Sequence, residues 1–370
     1  GGAREEAGRA PRHEAERAER ERQEEEERQR EEEARRKEEE AARKEQEEAE
    51  RRREEERRTP AAAGLDASKA LSCPPDGGKG RLPELEELTV HGRAYYKVGH
   101  IGKGGSGHVY RVVRPSTVKK GGSTQARMEV YAVKLVDLRD GKQDMESFKG
   151  EIQHLLALRE EANIVTLYDY EITSRRICMV LELGETDLRY LLNRLKRCAN
   201  RLNFIKLYWQ QMLEAVQTIG KHRIVHGDLK PANFVSFKGV LKLIDFGIAG
   251  KISDDTVNVN RESVCGTIHY LAPEGLRSCV EVGASTKMGT PADVWSLGII
   301  LYEMVYQTTP FHYIKPVPQK VLAITSSAEV QLPAMADENP LLREVLSMCL
   351  QKDPSRRATI DELLAHPLLR

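Results

Sequence analysis

The first 64 residues contain no Leu, Ile, Val, Met or aromatic side chain; Leu65 is the first. A segment without apolar residues has nothing to bury. A globular domain is excluded there, and a conventional coiled coil is disfavoured because positions a and d have no hydrophobe to offer. Nowhere in the 370 residues is there an apolar run long enough, at about 18 residues, for a membrane-spanning helix. Close cysteine pairs are missing too. The six cysteines stand at 73, 178, 198, 265, 279 and 349, which disfavours a zinc ribbon or disulfide scaffold and fits reduced thiols of the cytosol or nucleus. An excess of one charge is also lacking, with 58 Lys and Arg against 58 Asp and Glu. Neither direct nucleic-acid binding nor a membrane partner is therefore expected from global charge. The chain opens Gly1-Gly2, with no methionine and no charged-then-apolar leader.

What is present is unevenly spread. Residues 13–58 hold 21 Glu and 15 Lys or Arg. Glu24 precedes Arg28, Glu32 precedes Arg36, Glu40 precedes Lys44 and Glu48 precedes Arg52. Each such i,i+4 pair has Glu on its N-terminal side and contributes about 0.2–0.5 kcal/mol to a helix. Segment 1–58 thus reads either as a solvated single helix, on the order of 70 Å over residues 13–58 at 1.5 Å per residue, or as a disordered charged tail. Residues 59–86, with Thr59-Pro60, Pro74-Pro75 and Gly77-Gly78, read as a flexible linker. From 87 to 370 the composition is that of a folded domain.

Within that domain, Ile101 to Val109 reads G-x-G-x-x-G-x-V through Gly102, Gly104, Gly107 and Val109. The glycines let a hairpin backbone lie close over a polyphosphate. A dinucleotide fingerprint shares the core pattern but opens a helix, whereas Val109 to Val113 reads as a strand. Lys134 interrupts the β-branched strand Val130–Val136, and seventeen residues on, Glu151 lies in the helical pattern Phe148–Leu156. A strand lysine held by a helix glutamate would orient its amine toward phosphates.

The strongest signal is His226-Gly-Asp228-Leu-Lys230-Pro-Ala-Asn233, followed by Asp245-Phe-Gly247. Phosphoryl transfer needs a carboxylate at the attacking hydroxyl and oxygen ligands for Mg²⁺ at the phosphates. Asp228 suits the first role, Asn233 and Asp245 the second, and Lys230 can neutralise charge on the transferring group. The order of these motifs is the protein-kinase signature. Ala272-Pro-Glu274, Asp293-Val-Trp295 and Arg357 follow downstream.

On these residues the chain resembles eukaryotic protein kinase domains. More narrowly it is similar to the monopolar-spindle, TTK-type kinases. The segments carrying the narrower resemblance are Leu167–Thr173, Met212–Ile219, Asp228–Phe234, Leu241–Ala249 and Leu363–Pro367. The resemblance implies an α+β bilobal fold, with a β-rich N-lobe over about 87–181 carrying one main helix, a hinge at 182–184 and a helical C-lobe over about 185–370. It implies ATP and Mg²⁺ as cofactors and Ser/Thr transfer to protein substrates, extended to Tyr by dual specificity. Glu182, Leu183 and Gly184 would bond adenine, Leu181 would be the gatekeeper, and Ile101, Val109, Ala132 and Val235 would sandwich the purine. Glu274 would pair with Arg357, and Asp293 would hold the catalytic loop. Kinetochore or spindle partners in mitosis, from the nucleus and cytoplasm, are implied as well. Thr256, Ser263 and Thr267 are the candidate regulatory phosphosites. Two departures stand out: Gly227 replaces the usual Arg before the catalytic Asp, and the connection from about Arg114 to Met128 is longer and more basic than the family's. Two other functional classes stay open, a nucleotide-binding pseudokinase scaffold and a spacer or microtubule-associated protein carrying a kinase.

Overall fold

The computed structural model describes residues 85–104, 107–120, 123–138, 145–195, 201–246, 268–280, 289–334 and 339–370. The charged segment 1–58 and all but the last two residues of the 59–86 linker lie outside them.

The N-lobe is an antiparallel sheet of six strands in the order β1-β2-β3-β4-β6-β5. These are β1 (Glu87–Val90), β2 (Arg93–Gly104), β3 (Gly107–Lys120), β4 (Ser123–Asp137), β5 (Leu167–Ile172) and β6 (Arg176–Leu181). Period-two alternation shows in β1, where Leu88 and Val90 are buried and Glu87 and Thr89 are exposed. In β6 every residue from Ile177 to Val180 is buried, as expected of a strand covered on both faces. One helix, α1 (Met145–Ala157), packs against this lobe. Phe148, Ile152 and Leu155 are buried at helical spacing, and Glu151 falls on the same face.

The C-lobe is helical: α2 (Leu188–Leu195), α3 (Arg201–Lys221), α4 (Pro273–Val280), α5 (Thr290–Tyr306), α6 (Val317–Thr325), α7 (Pro340–Cys349) and α8 (Ile360–Ala365). α3 buries Ile205, Trp209, Met212, Val216 and Ile219 along one stripe. α5 is buried almost all round from Ala292 to Val305, which makes it the central helix of the lobe. At Gly298 an added Cβ would stand 2.6 Å from the Cβ of Cys349, so glycine lets α7 pack close to α5. A second sheet, β7 (Thr186–Asp187), β8 (Phe234–Phe237) and β9 (Val240–Leu243), lies between hinge and helices. Leu243 bonds the Asn163 carbonyl through its N–H (2.8 Å) and accepts from Val165 N (3.0 Å), which ties β9 to the segment entering β5. Among the described residues no helix is long and apolar enough to cross a membrane.

The segment from Arg114 to Met128 is not an irregular connection. β3 and β4 pair without interruption from His108↔Leu135 out to Lys120↔Ser123. The polar, basic sequence of this stretch hides its strands, because it carries no apolar alternation.

Candidate active site

The paired strands deliver the first group of side chains. Val109 is opposite Lys134 and Arg111 opposite Ala132 across β3 and β4; Ala132 is in turn opposite Leu181 on β6. The glycine loop is the β2–β3 hairpin, with Gly102 opposite Val109 and Gly104 opposite Gly107. Gly107 has φ +137°, and a Cβ there would lie 2.2 Å from the Leu135 carbonyl oxygen, so the third glycine of the motif is required by close packing on β4.

Lys134 is buried, and its Nζ donates to Glu151 Oε1 (2.8 Å) and Asp245 Oδ1 (3.2 Å). Burial acts against the ammonium charge, and the Asp245 and Glu151 carboxylates outweigh it, holding Lys134 above the ordinary lysine range. Burial acts against the Asp245 charge as well, and Lys134 outweighs it, so this carboxyl sits below the usual carboxylate range. Burial pushes the Glu151 carboxyl up. Asp245 is also held at φ +65°, a left-handed backbone that costs a non-glycine residue on the order of 1 kcal/mol and gathers at functional sites. Phe246, next in sequence, is buried against the rings of His226 (5.8 Å between centroids) and His154 (6.5 Å).

The segment before β8 is pinned from below. The α5 residue Asp293 accepts from the backbone N–H of His226 and of Gly227, both at 2.9 Å. Gly227 has φ +77°, a conformation that glycine adopts without a Cβ penalty. Asp228 is buried, its Oδ2 accepts from Lys230 Nζ at 2.5 Å, and its Oδ1 is buried without a hydrogen-bond partner among the described residues. Asn233, in the short 3₁₀ turn Pro231–Asn233, donates from Nδ2 to the Asp228 carbonyl (3.0 Å). Its own carbonyl accepts from Ile244 N at 2.8 Å, which sets Asn233 beside the residue preceding Asp245.

At the hinge, Glu182 N donates to Thr166 O (3.0 Å) and Glu185 N to Ser236 O (2.8 Å). A Cβ on Gly184 would stand 2.1 Å from Val235 Cγ1, so the chain after Leu183 lies directly on the residue expected beneath the purine. Leu181 is half-buried and Ile101 is 49% exposed at the rim. The Lys242–Glu182 ion pair at 2.7 Å was not anticipated. Sixty residues separate its members, and no motif spacing marks it. The expected pair Glu274–Arg357 forms through two contacts, at 2.5 and 2.8 Å, with the Arg357 side chain fully buried. Thr256, Ser263 and Thr267 lie outside the described residues.

The donor set can be tested against a nucleotide with a divalent cation. Asn233 and Asp245 offer hard oxygen ligands, which suit Mg²⁺ or Mn²⁺ and not a soft metal. Among the described residues no group of three or more His, Cys, Asp or Glu could hold a metal ion. A nucleotide-bound cation needs only one or two protein groups, with nucleotide phosphates and water as its remaining ligands. The orphaned Asp228 Oδ1 and the buried Lys134 cation complete a site for a hydroxyl and a phosphate, and the residues present fit the group.

Sheet, hinge, buried lysine and carboxylate pair define a phosphotransferase of the protein-kinase class, and the chain belongs to the protein kinase domain family, whose model matches residues 95–369. Within that family it is 44% identical over 292 residues to the probable serine/threonine-protein kinase mps1 of Dictyostelium discoideum, covering 77% of this chain and 28% of that protein. It is 41% identical to the serine/threonine-protein kinase mph1 of Schizosaccharomyces pombe, covering 78% of this chain and 45% of that protein. It is also 41% identical to the dual specificity protein kinase TTK of Mus musculus, covering 77% of this chain and 32% of that protein. The match thus spans less than half the length of each of these relatives. Membership in the family brings use of ATP with a divalent metal, and protein substrates.

Proposed function

We propose that the chain transfers the γ-phosphoryl group of MgATP to Ser and Thr, and additionally Tyr, of protein substrates. The observation that carries this reading is the convergence of Lys134, Asp228, Asn233 and Asp245 through the contacts above. Mg²⁺, when bound, neutralises charge on the β- and γ-phosphates. Lys134, oriented by Glu151, directs its ammonium to the α- and β-phosphates. Asp228 receives the substrate hydroxyl proton at its free Oδ1, while Lys230 holds the other carboxylate oxygen and offsets charge on the transferring group. Asn233 fixes the backbone of Asp228, so base and metal ligand move as one unit. Positioning and electrostatics supply most of the acceleration in this chemistry. The names of the relatives, which include a dual specificity kinase, support the Tyr extension; a mitotic role on kinetochore or spindle proteins is what the resemblance to the monopolar-spindle kinases implies. The proposed kinase domain runs over 87–370, with Thr256 as its leading autophosphorylation site.

The test is transfer of radiolabel from ATP to a generic protein substrate, with phosphosites mapped by mass spectrometry. Asp228→Ala should reduce transfer by orders of magnitude with folding intact. Nucleotide binding without transfer in the unaltered chain would select the scaffold reading.

A further inference from the structure

We propose that the β3–β4 ribbon is a docking arm that takes an extended, acidic segment of another protein as an added strand along its β4 edge. The ribbon continues past the body of the sheet. β2 pairs with β3 only as far as Tyr96↔Val113, and β6 pairs with β4 only from Ala132↔Leu181 onward. From Ser123 to Tyr131, β4 therefore has β3 on one side and, among the described residues, no strand on the other. Nine residues at about 3.3 Å each leave roughly 30 Å of edge whose outward N–H and C=O groups have no ladder partner.

The two edges are not equivalent. β3 carries Pro115, opposite Met128, and proline has no N–H to offer a ladder, so the β3 edge is blunted. The β4 stretch Ser-Thr-Gln-Ala-Arg-Met-Glu-Val has neither Pro nor Lys, the usual edge protections. Val130, at its inner end, is 45% exposed. β4 becomes free where β6 ends at Leu181 and the chain enters the hinge, so an added strand would extend the sheet where β6 leaves it.

Charge selects the occupant. Glu129 is bonded to Arg114 at 2.6 Å, and the remaining charged residues of the ribbon in sequence are Lys119, Lys120 and Arg127. Two such ribbons repel, which disfavours a second copy of this chain. Nucleic acid would satisfy the cations and leave the edge amides unpaired. An acidic extended segment satisfies both, in the manner of strand addition to an open sheet edge.

The probe is a fluorescent peptide of about ten residues alternating Glu with Val and Thr, tested on the full chain by anisotropy and by amide hydrogen exchange. The expected result is slowed exchange within 123–131 on adding peptide. Affinity should fall about tenfold when Lys119, Lys120 and Arg127 are changed to Glu, and again at high salt. A shortened ribbon, with 116–127 replaced by Asn-Gly, should lose binding and keep its transfer rate on a generic peptide. A peptide alternating Lys with Val and Thr should not bind. Unchanged exchange at 123–131, equal binding to the shortened ribbon, ribbon-dependent dimerisation, or preference for an oligonucleotide over the acidic peptide would each overturn the proposal.

Discussion

Lys134 on β4 and Glu151 on α1, seventeen residues apart, meet through a buried 2.8 Å hydrogen bond. The contact fixes how α1 sits against the sheet and where the ammonium points. Glu151→Gln keeps the shape of the side chain and removes its charge. Lys134 then keeps Asp245 as its charged partner and shifts from the position proposed to face the phosphates. Misplacement by about 1 Å costs on the order of 100-fold in rate, so turnover should fall by about 10- to 100-fold in a radiolabel assay, with the melting temperature little changed. Lys134→Met should lose more, since it removes the cation itself. Unchanged turnover in Glu151→Gln would separate the ion pair from catalysis.

Gly184→Ala tests the proposed floor of the purine site. The new methyl would stand 2.1 Å from Val235 Cγ1 and 3.1 Å from Phe237 Cζ. With Val235 displaced toward the space where adenine is expected, the KM for ATP should rise about tenfold, with kcat less affected. Steady-state kinetics over a range of ATP concentrations decide it. An unaltered KM would mean that the hinge moves instead.

The residues that meet here differ in how visible they were in sequence. Asp228, Lys230 and Asn233 lie within six residues, and Asp245 follows closely, so their spacing encodes their geometry almost directly. Lys134 and Glu151 were legible from their order, a lysine in the strand after the glycine loop and a glutamate in the helical pattern seventeen residues on. Glu182–Lys242 was not, since it depends on β9 folding back under the hinge. Nor was the ribbon. Its strands pair with each other, and the Gly121-Gly122 pair between Lys120 and Ser123 was a hairpin signal without the flanking apolar alternation that normally accompanies one.

The Arg357–Glu274 pair should show up in stability. Arg357 also donates to the Pro291 and Gln351 carbonyls, at 2.8 and 2.7 Å. Removing one member of a buried pair leaves an uncompensated charge and costs about 3–5 kcal/mol. Arg357→Met should thus lower the melting temperature on the order of 10 °C. The double variant with Glu274→Met should recover part of the loss. A single variant as stable as the parent would show that solvent reaches the Glu274 carboxylate and replaces the contact.

Stability should also depend on pH through His269. Its Nδ1 lies 3.0 Å from Thr309 Oγ1 and its Nε2 lies 3.0 Å from Lys320 Nζ. Lys320 can only donate, so Nε2 accepts and the ring is neutral, with Nδ1–H donating to Thr309. Burial, helped by the nearby positive charges of Lys320 and His312, lowers the imidazole pKa to about 4, against about 6.5 in an unfolded chain. Between those values the unfolded chain holds a proton that the folded one does not, so stability rises with pH there and is lost as pH falls from about 6.5 toward 4. The full shift would correspond to about 3 kcal/mol; His269 is only half-buried, and screening reduces this to about 1–2 kcal/mol. His269→Gln keeps an acceptor for Lys320 and a donor for Thr309 and removes the titration. Urea unfolding at about pH 7 and about pH 5 should show the parent losing roughly 1 kcal/mol more than His269→Gln, the other titrating groups cancelling between the two chains. Parallel losses would mean that His269 takes up its proton in the folded chain as readily as in the unfolded one, and that Lys320 turns away to let it.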